Sequence, residues 1–218
     1  MVVALNVILD LDNTIINTLP IENAMPFMNE FWYSPYKHNS FLSDVIMARP
    51  GLNDFLDWLF KNCKVSVFTH ADKEYAMYIV NTFILQGKKN RKIDLIYYRY
   101  HVEMALDIYK GYKDLRLLWD EFKVFDVYPS NTIIIDDNPM VKETNPYNTI
   151  QIYPFNASEK SINDNHLSKV KRLLQYLTIN YNKDLIYRGN IMEPILKKYG
   201  DNIDEIYWKI LKNIFFIK

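Results

Sequence analysis

The stretch Val7-Ile8-Leu9-Asp10-Leu11-Asp12-Asn13-Thr14 joins a short apolar run to two carboxylates, and the fold prediction rests on it. The run is rich in β-branched residues and closes on Asp-Asn, which is typical of a buried strand that enters a turn. Because side chains at i and i+2 of a strand point the same way, Asp10 and Asp12 are expected on a common side, followed by the Thr14 hydroxyl. Two such carboxylates can bind a hard divalent cation, and one of them can attack phosphorus. For this motif alone, the alternative of two solvated acids at a turn stays equally open.

Strand and helix signals alternate along the rest of the chain. Helical spacing of apolar residues predicts helices, and short β-branched runs predict further strands. The predicted helices span residues 52–61, 74–83, 167–177 and 203–214, and the predicted strands 64–70, 96–100, 131–135 and 150–153. The β-α-β-α order is typical of a parallel sheet, in which ligands bind outside the carboxyl ends of the strands. Asn53 or Asp54 is the expected N-cap of the first helix, and Asp201 that of the last.

Three segments lie outside this alternation. The aromatic segment 15–48 is expected to be a short β excursion or a packed loop, because it is too short for an independent cap domain. The basic run 87–92 is expected to be a solvated loop, with contact to an acidic or phosphorylated partner as the alternative. Residues 181–218 are predicted to be a helical C-terminal extension of a domain formed by residues 1–180. Its amphipathic helix is expected to pack on that domain, and the alternative is association with a second copy or another partner.

Composition limits the classes of function. Of the 218 residues, 49% are hydrophobic and 24% are charged, which indicates a folded globular protein with a substantial core. The net charge of +0 gives no electrostatic argument for direct binding to nucleic acid or to a membrane. Cys63 is the one cysteine, so no disulfide can form within the chain, and the N-terminal apolar run is too short to span a bilayer. We therefore expect an intracellular protein, cytoplasmic or nuclear.

Polar groups follow three of the predicted strands. In chain order they are the pair Asp10 and Asp12, then Thr69, and then the pair Asp136 and Asp137, with Lys113 before the last pair. In a parallel sheet these strand ends meet at one edge, and together they supply the carboxylates and positioned donors that phosphoryl transfer requires. Taken singly, Thr69 and Lys113 have structural alternatives, as a helix cap and a solvated lysine. Taken together and in this order, the residues resemble the four motifs of the haloacid dehalogenase superfamily of phosphatases.

A narrower resemblance rests on the sequence around these motifs. Residues 48–56 resemble the Arg-Pro-Gly helix entry of the subfamily that dephosphorylates the C-terminal domain of RNA polymerase II, the FCP/SCP or NLI-interacting factor-like phosphatases. Residues 67–76, 112–115 and 136–139 are similar to the second, third and fourth motifs of that subfamily. The segment 96–111 departs from the pattern, because it lacks the His-Arg-Gly run of many of these enzymes. This departure bears on peptide specificity and leaves the chemistry untouched.

The resemblance implies a role for each motif residue. Asp10 would attack phosphorus and carry the aspartyl-phosphate, and Asp12 would protonate the leaving alcohol and later take a proton from the hydrolytic water. Thr69 would hydrogen-bond the phosphoryl oxygens, and Lys113 would neutralise the phosphorylated intermediate.

The resemblance also implies Mg2+ as the cofactor. Asp10 and Asp137 would ligate the ion, and Asp12 would add its main-chain carbonyl. Asp136 would orient Lys113 or share the metal shell. A metal ion would offset the repulsion between Asp10 and an anionic substrate.

The fold implied by the resemblance is a Rossmann-like α/β fold with a mostly parallel central sheet flanked by helices and no large cap. It includes a small β insertion if the segment 15–48 forms strands instead of a packed loop. The implied activity is that of a Mg2+-dependent phosphatase acting on phosphoserine or phosphothreonine in a protein such as the RNA polymerase II C-terminal domain. An uncapped site favours such a macromolecular substrate. Two alternatives stay open: a non-catalytic scaffold protein of the same fold, and a small-molecule phosphatase of the superfamily.

Overall fold

Strands and helices alternate through most of the chain, which a computed structural model describes over residues 5–39, 42–180 and 189–215. The strands are β1 (Leu5–Leu9), β2 (Ile16–Pro20), β3 (Tyr33–Asn39), β4 (Leu42–Ala48), β5 (Cys63–Phe68), β6 (Ile93–Tyr97), β7 (Thr132–Asp136) and β8 (Thr149–Gln151). The α-helices are α1 (Ile21–Ala24), α2 (Leu52–Asn62), α3 (Lys73–Ile79), α4 (Arg99–Tyr109), α5 (Pro139–Thr144), α6 (His166–Asn180), α7 (Glu193–Tyr199) and α8 (Ile203–Phe215). Shorter helical segments are the π-helical Val80–Leu85 and Leu117–Glu121 and the 3-10 turns Met28–Glu30 and Glu159–Ser161.

Five strands form a central parallel sheet in the order β6-β5-β1-β7-β8. Strand β1 lies in the middle and is hydrogen-bonded to β5 on one side and to β7 on the other. Every residue of β1 and β7 is buried. This burial accounts for their continuous apolar composition, because central parallel strands are covered on both faces. The predicted α/β fold with a mostly parallel sheet flanked by helices is confirmed.

The two faces of the sheet bury separate cores. Val7 and Leu9 of β1 pack in a core with side chains of α2, α3 and α6, whereas Ile8 packs in a second core with side chains of α4. This alternation follows from the two-residue period of a strand. Each fully buried aliphatic side chain contributes about 1.5–3 kcal/mol, so β1 is anchored from both sides. The carboxyl ends of the strands are thereby fixed at one edge of a rigid sheet.

The segment between β1 and α2 forms a small antiparallel sheet in the order β2-β4-β3, called the β insertion below. Of the two expectations for this segment, the β excursion is therefore the one that the structure has. Its aromatic side chains divide between core and surface. Phe31 is buried against Phe155 with ring centroids 5.9 Å apart, whereas Trp32 and Tyr33 are exposed.

A glycine organises the turn before α2. The N-cap of α2 is Gly51, with a φ of 79°, and no side chain caps the helix. The prediction that Asn53 or Asp54 serves as the cap is wrong, because the helix already begins at residue 52. Gly51 adopts this left-handed backbone without the steric penalty that a Cβ atom brings.

Two predictions around the edge strand β6 are only partly correct. The predicted strand 96–100 is displaced, since β6 ends at Tyr97 and α4 begins at Arg99. The basic run before β6 is not fully solvated. Its Arg91 is buried and donates to Asp57 of α2 at 2.6 Å, while another of its N–H groups donates to a main-chain carbonyl at 2.6 Å. This arginine therefore satisfies polar groups between α2 and the end of the π-helical turn.

The described part of the C-terminal extension packs on the rest of the protein. Ile203, Ile206 and Ile210 of α8 are buried in the same core as the apolar face of α6. The side chain of Asn202 caps α8 by accepting two first-turn N–H groups at 2.9 and 3.1 Å, so the predicted cap Asp201 is wrong by one residue. Within the described ranges, no helix is both long and apolar enough to cross a bilayer.

Candidate functional site

Three neighbouring strands bring their polar ends together. Asp10 follows β1, Thr69 follows β5 and Asp136 ends β7. The sheet hydrogen bonding continues into these ends, because Asp10 N donates to Ile135 O and Thr69 N donates to Tyr97 O, both at 3.0 Å. The backbone at the start of each loop is thus held by the sheet, as a precise site requires.

All six predicted residues line one open cavity of about 470 Å³ at this edge of the sheet. They are Asp10, Asp12, Thr69, Lys113, Asp136 and Asp137. Other parts of the wall are formed by His70, Tyr112, Pro139 and Pro154. Thr69 is buried, and its hydroxyl accepts the main-chain N–H of Ala71 at 3.1 Å.

Lys113 is buried between two carboxylates. Its Nζ lies 2.5 Å from Asp10 Oδ1 and 2.7 Å from Asp136 Oδ2, and only 3% of its side chain is exposed. Burial lowers the pKa of Lys113, but the charges of Asp10 and Asp136 outweigh burial and raise the pKa overall. Lys113 is therefore a fixed positive charge at the bottom of the cavity.

The loop that carries Lys113 is held by Asn145, which follows α5. Asn145 Nδ2 donates to Lys113 O at 3.1 Å, and Asn145 Oδ1 accepts the N–H of Leu115 at 3.0 Å. These bonds hold Lys113 with a φ of 50°, which is uncommon for a residue with a side chain. This role of Asn145 could not be predicted, because nothing local in the sequence links it to a loop 30 residues earlier.

Thr14 links the first and last acidic motifs. Its Oγ1 lies 3.0 Å from Asp10 Oδ2 and 3.1 Å from Asp137 Oδ1, and it accepts the main-chain N–H of Asp137 at 3.1 Å. A hydroxyl has one hydrogen, so it donates to one of the two carboxylates at a time. The motif predicted where this hydroxyl lies but not its contact with Asp137.

Asp12 is held by a tyrosine from outside the predicted motifs. The Tyr75 hydroxyl, in the first turn of α3, donates to Asp12 Oδ1 at 2.8 Å. Burial raises the pKa of Asp12 to about 6, although the hydrogen bond from Tyr75 acts in the opposite direction. An acid whose pKa lies this close to neutrality is suited to both giving and taking a proton.

Three carboxylates at the site can hold a divalent cation. Asp10, Asp136 and Asp137 each offer an oxygen within 4.8 Å of the others. Burial and the charge of Asp10 raise the pKa values of both Asp136 and Asp137, with Lys113 acting against this rise. Three carboxylates beside one lysine leave negative charge uncompensated, and oxygen ligands of this kind are those that Mg2+ prefers. The side chain of Asp12 is not part of this cluster.

A buried ion pair between Arg49 and Asp164 holds the backbone of the site at Thr14. Arg49, directly after β4, donates through Nε and Nη2 to both oxygens of Asp164 at 2.9 and 2.8 Å, and through Nη1 to Thr14 O at 3.0 Å. The Arg-Pro-Gly motif drew attention to Arg49, but no local pattern indicates its partner 115 residues away.

The fold resembles that of fission yeast RNA polymerase II CTD phosphatase Fcp1, with a TM-score of 0.62 at 17% identity over 96% of this chain and 71% of that chain. This is the α/β fold of the haloacid dehalogenase superfamily. The sequence profile of the NLI interacting factor-like phosphatases matches residues 5–185. CTD phosphatase-like protein 355R of Invertebrate iridescent virus 6 is 36% identical over 178 residues, which are 78% of this chain and 96% of that protein. Its namesake in Invertebrate iridescent virus 3 is 33% identical over 177 residues, 78% of this chain and 94% of that protein. The chain belongs to the NLI interacting factor-like phosphatase family.

Proposed function

We propose that this protein is a Mg2+-dependent phosphatase that works through an aspartyl-phosphate on Asp10. The observation that carries the proposal is the buried contact of Lys113 Nζ with Asp10 and Asp136 at 2.5 and 2.7 Å. A fixed cation beside a carboxylate nucleophile lowers the cost of bringing an anionic phosphate to it. Asp10, Asp136 and Asp137 would hold Mg2+, which would supply further neutralisation of the phosphoryl oxygens.

The reaction has two steps in which Asp12 moves the proton. First, an oxygen of Asp10 forms a bond to phosphorus while the bond from phosphorus to the substrate oxygen breaks, and Asp12 gives its proton to that oxygen. Second, a water oxygen bonds to phosphorus while the bond to Asp10 breaks, and Asp12 takes a proton from the water. Inorganic phosphate leaves, and Asp10 and Asp12 return to their starting states. Thr69 would hydrogen-bond the phosphoryl oxygens, and Lys113 would neutralise the phosphorylated Asp10.

The proposed substrate is phosphoserine or phosphothreonine in a protein, of the RNA polymerase II C-terminal domain type. Two observations support it. The cavity is open, and the β insertion is a single three-stranded sheet, so a chain can reach the site. The viral relatives are named CTD phosphatase-like. We place this activity inside the cell, in the cytoplasm or the nucleus.

The test is hydrolysis of an aryl phosphate by the wild type and by Asp10→Asn, each with Mg2+ and with EDTA. We expect Mg2+-dependent turnover in the wild type and none in Asp10→Asn, which keeps the shape but removes the nucleophilic charge. Asp107→Asn is the matched control, because Asp107 is an exposed aspartate on α4. A panel of phosphopeptides, sugar phosphates and nucleotides then tests the substrate.

Two results would favour the alternatives. A folded, Mg2+-supplied wild type without any turnover would favour a scaffold protein. Turnover restricted to sugar phosphates or nucleotides would favour a small-molecule phosphatase. The C-terminal extension could also mediate self-association, and sedimentation of the full chain at several concentrations tests that idea.

A further inference from the structure

We propose that Tyr75 is a positioning residue for proton transfer by Asp12, and that Thr18 on the β insertion holds Tyr75 in place. The inference rests on the proposed function, in which Asp12 gives and takes the proton. It adds two residues outside the acidic motifs, and it links the β insertion to the chemical step.

The three side chains form a hydrogen-bonded chain with a fixed direction. Tyr75 OH donates to Asp12 Oδ1 at 2.8 Å, and Thr18 Oγ1 lies 2.7 Å from the same phenol oxygen. A phenol carries one hydrogen. Because Tyr75 gives this hydrogen to Asp12, the Thr18 hydroxyl must donate to Tyr75. The chain therefore runs from strand β2 to the carboxylate at the cavity.

This arrangement assigns different tasks to the two oxygens of Asp12. Oδ1 is occupied by the Tyr75 hydrogen, whereas Oδ2 makes no hydrogen bond with any described residue. The proton to be transferred therefore sits on Oδ2, and Asp12 lines the cavity in which the substrate would bind. When the O–H bond at Oδ2 breaks, the proton goes to the leaving oxygen and its electron pair stays on Asp12.

The Tyr75 hydrogen bond becomes stronger as this charge develops. A hydrogen bond to a carboxylate is about twice as strong as one to a neutral carboxyl group. Tyr75 therefore stabilises the transition state, in which Asp12 has partly lost its proton, more than the ground state. An interaction of this kind raises the rate of proton transfer instead of merely tightening substrate binding.

Tyr75 is itself held rigidly enough for this task. Its main-chain N–H donates to Asp72, the N-cap of α3, at 2.9 Å. Its ring packs edge-to-face on Tyr36 of the β insertion, with centroids 5.1 Å apart. With Thr18 on the hydroxyl, the ring and its oxygen are fixed from three directions.

The same helix offers a matched control. Tyr78 lies one turn after Tyr75, and its ring also contacts Tyr36, with centroids 4.8 Å apart. Its hydroxyl lies 2.9 Å from Ser34 Oγ and donates to Pro35 O, also at 2.9 Å. Tyr78→Phe therefore removes the same group from the same helix without touching Asp12.

The experiment compares kcat/KM for a phosphoserine peptide and for para-nitrophenyl phosphate, with Mg2+ present. In this mechanism kcat/KM reports formation of the aspartyl-phosphate, which includes departure of the leaving group. A serine alkoxide must be protonated as it leaves, whereas nitrophenolate leaves as the anion. We expect Tyr75→Phe to lower the ratio of peptide to aryl phosphate kcat/KM by about tenfold or more. Thr18→Val should lower it less, and Tyr78→Phe should leave it unchanged.

A double-mutant cycle separates positioning from a structural role. In an Asp12→Ala background, Tyr75→Phe should cause no further loss with the peptide, because the hydrogen bond has no acceptor. Equal losses for both substrates in Tyr75→Phe, or an additive loss in the double variant, would overturn the inference while the proposed function stands. A wild type that is inert toward both substrates would overturn the proposed function, and this inference with it. If Tyr75→Phe does not fold, Thr18→Val provides the test. A lower ratio of peptide to aryl phosphate kcat/KM supports the inference, and an unchanged ratio overturns it.

Discussion

Replacing Asp164 with asparagine should destabilise the fold through a buried ion pair that joins the β insertion to the loop before α6. Asp164 receives two N–H groups of Arg49 at 2.9 and 2.8 Å. The two side chains are 10% and 0% exposed, respectively. The variant keeps the size of the side chain but leaves the arginine charge buried without a carboxylate. The variant also replaces one carboxylate oxygen by an amide NH2 group, which would face an N–H donor of Arg49.

The expected cost is large because the surviving partner cannot reach water. Removing one member of a buried ion pair costs about 3–5 kcal/mol. For a chain of this size, each kcal/mol corresponds to about 2–4 °C in Tm, so we expect a decrease of about 6–20 °C. Asp54→Asn is the control, because Asp54 pairs with Lys171 at 2.7 Å but is 75% exposed. Its expected cost is about 0–1 kcal/mol.

The assay is thermal and urea unfolding of the wild type, of the single variants Asp164→Asn, Asp54→Asn and Arg49→Met, and of the double variant Arg49→Met/Asp164→Asn. The double variant should cost less than the sum of Arg49→Met and Asp164→Asn, because it leaves neither charge unpaired. A cost below 1 kcal/mol for Asp164→Asn, or full additivity in the double variant, would show that this ion pair does not stabilise the fold as proposed.

The pH dependence of the free energy of unfolding tests the same ion pair independently. Burial raises the pKa of Asp164, but hydrogen bonds from His166 and Arg49 outweigh it and lower the pKa overall. A carboxyl group whose pKa is lower in the folded state stabilises the protein above its ordinary pKa of about 3.9, and this contribution is lost as pH falls toward the folded value. The stability difference between wild type and Asp164→Asn should therefore shrink below about pH 4. A difference that persists unchanged at lower pH would show that charge is not its origin.

Three other perturbations have defined outcomes. Gly111→Ala should cost about 1–3 kcal/mol in urea unfolding, because a Cβ there would lie 2.5 Å from Thr144 Cγ2; an unchanged midpoint would contradict that contact. Asn202→Ala should cost about 0.5–2 kcal/mol by removing the cap of α8, with Asp201→Ala as the neutral control; equal effects of the two would argue against the cap. Saturating Mg2+ should raise the Tm of the wild type, equivalent to about 2.7 kcal/mol at 100 times Kd, and EDTA should reverse the rise. Asp136→Asn should lose most of this shift if the carboxylate cluster holds the ion.

The strand ends could be predicted because their signals are local. A β-branched run that closes on Asp10 and Asp12 predicts both a buried strand and the direction of its carboxylates. The same holds for the runs before Thr69 and Asp136, and a parallel sheet then brings the three ends together. The roles of these residues stay predictions until activity is measured.

The supporting contacts could not be predicted, because they join distant parts of the chain. Thr14 meets Asp137 across 123 residues, and Arg49 meets Asp164 across 115. Nothing in a single sequence pairs one arginine with one of many aspartates. The wrong bounds predicted for the edge strand have a different cause. The aromatic and β-branched residues there contain no turn or capping signal that marks where the strand ends. The true boundary is set where His101 accepts the N–H of Tyr98 and α4 begins.

The core of this protein extends beyond the segment that matches the family profile. The family profile stops at residue 185, yet the buried face of α8 lies beyond that point. A fragment ending at residue 185 would keep every acidic motif and would uncover the apolar face of α6 that α8 covers. We expect such a fragment to aggregate or to melt at a lower temperature than the whole chain. We therefore predict that the segment matching the family profile is shorter than the segment that this protein needs for a stable fold.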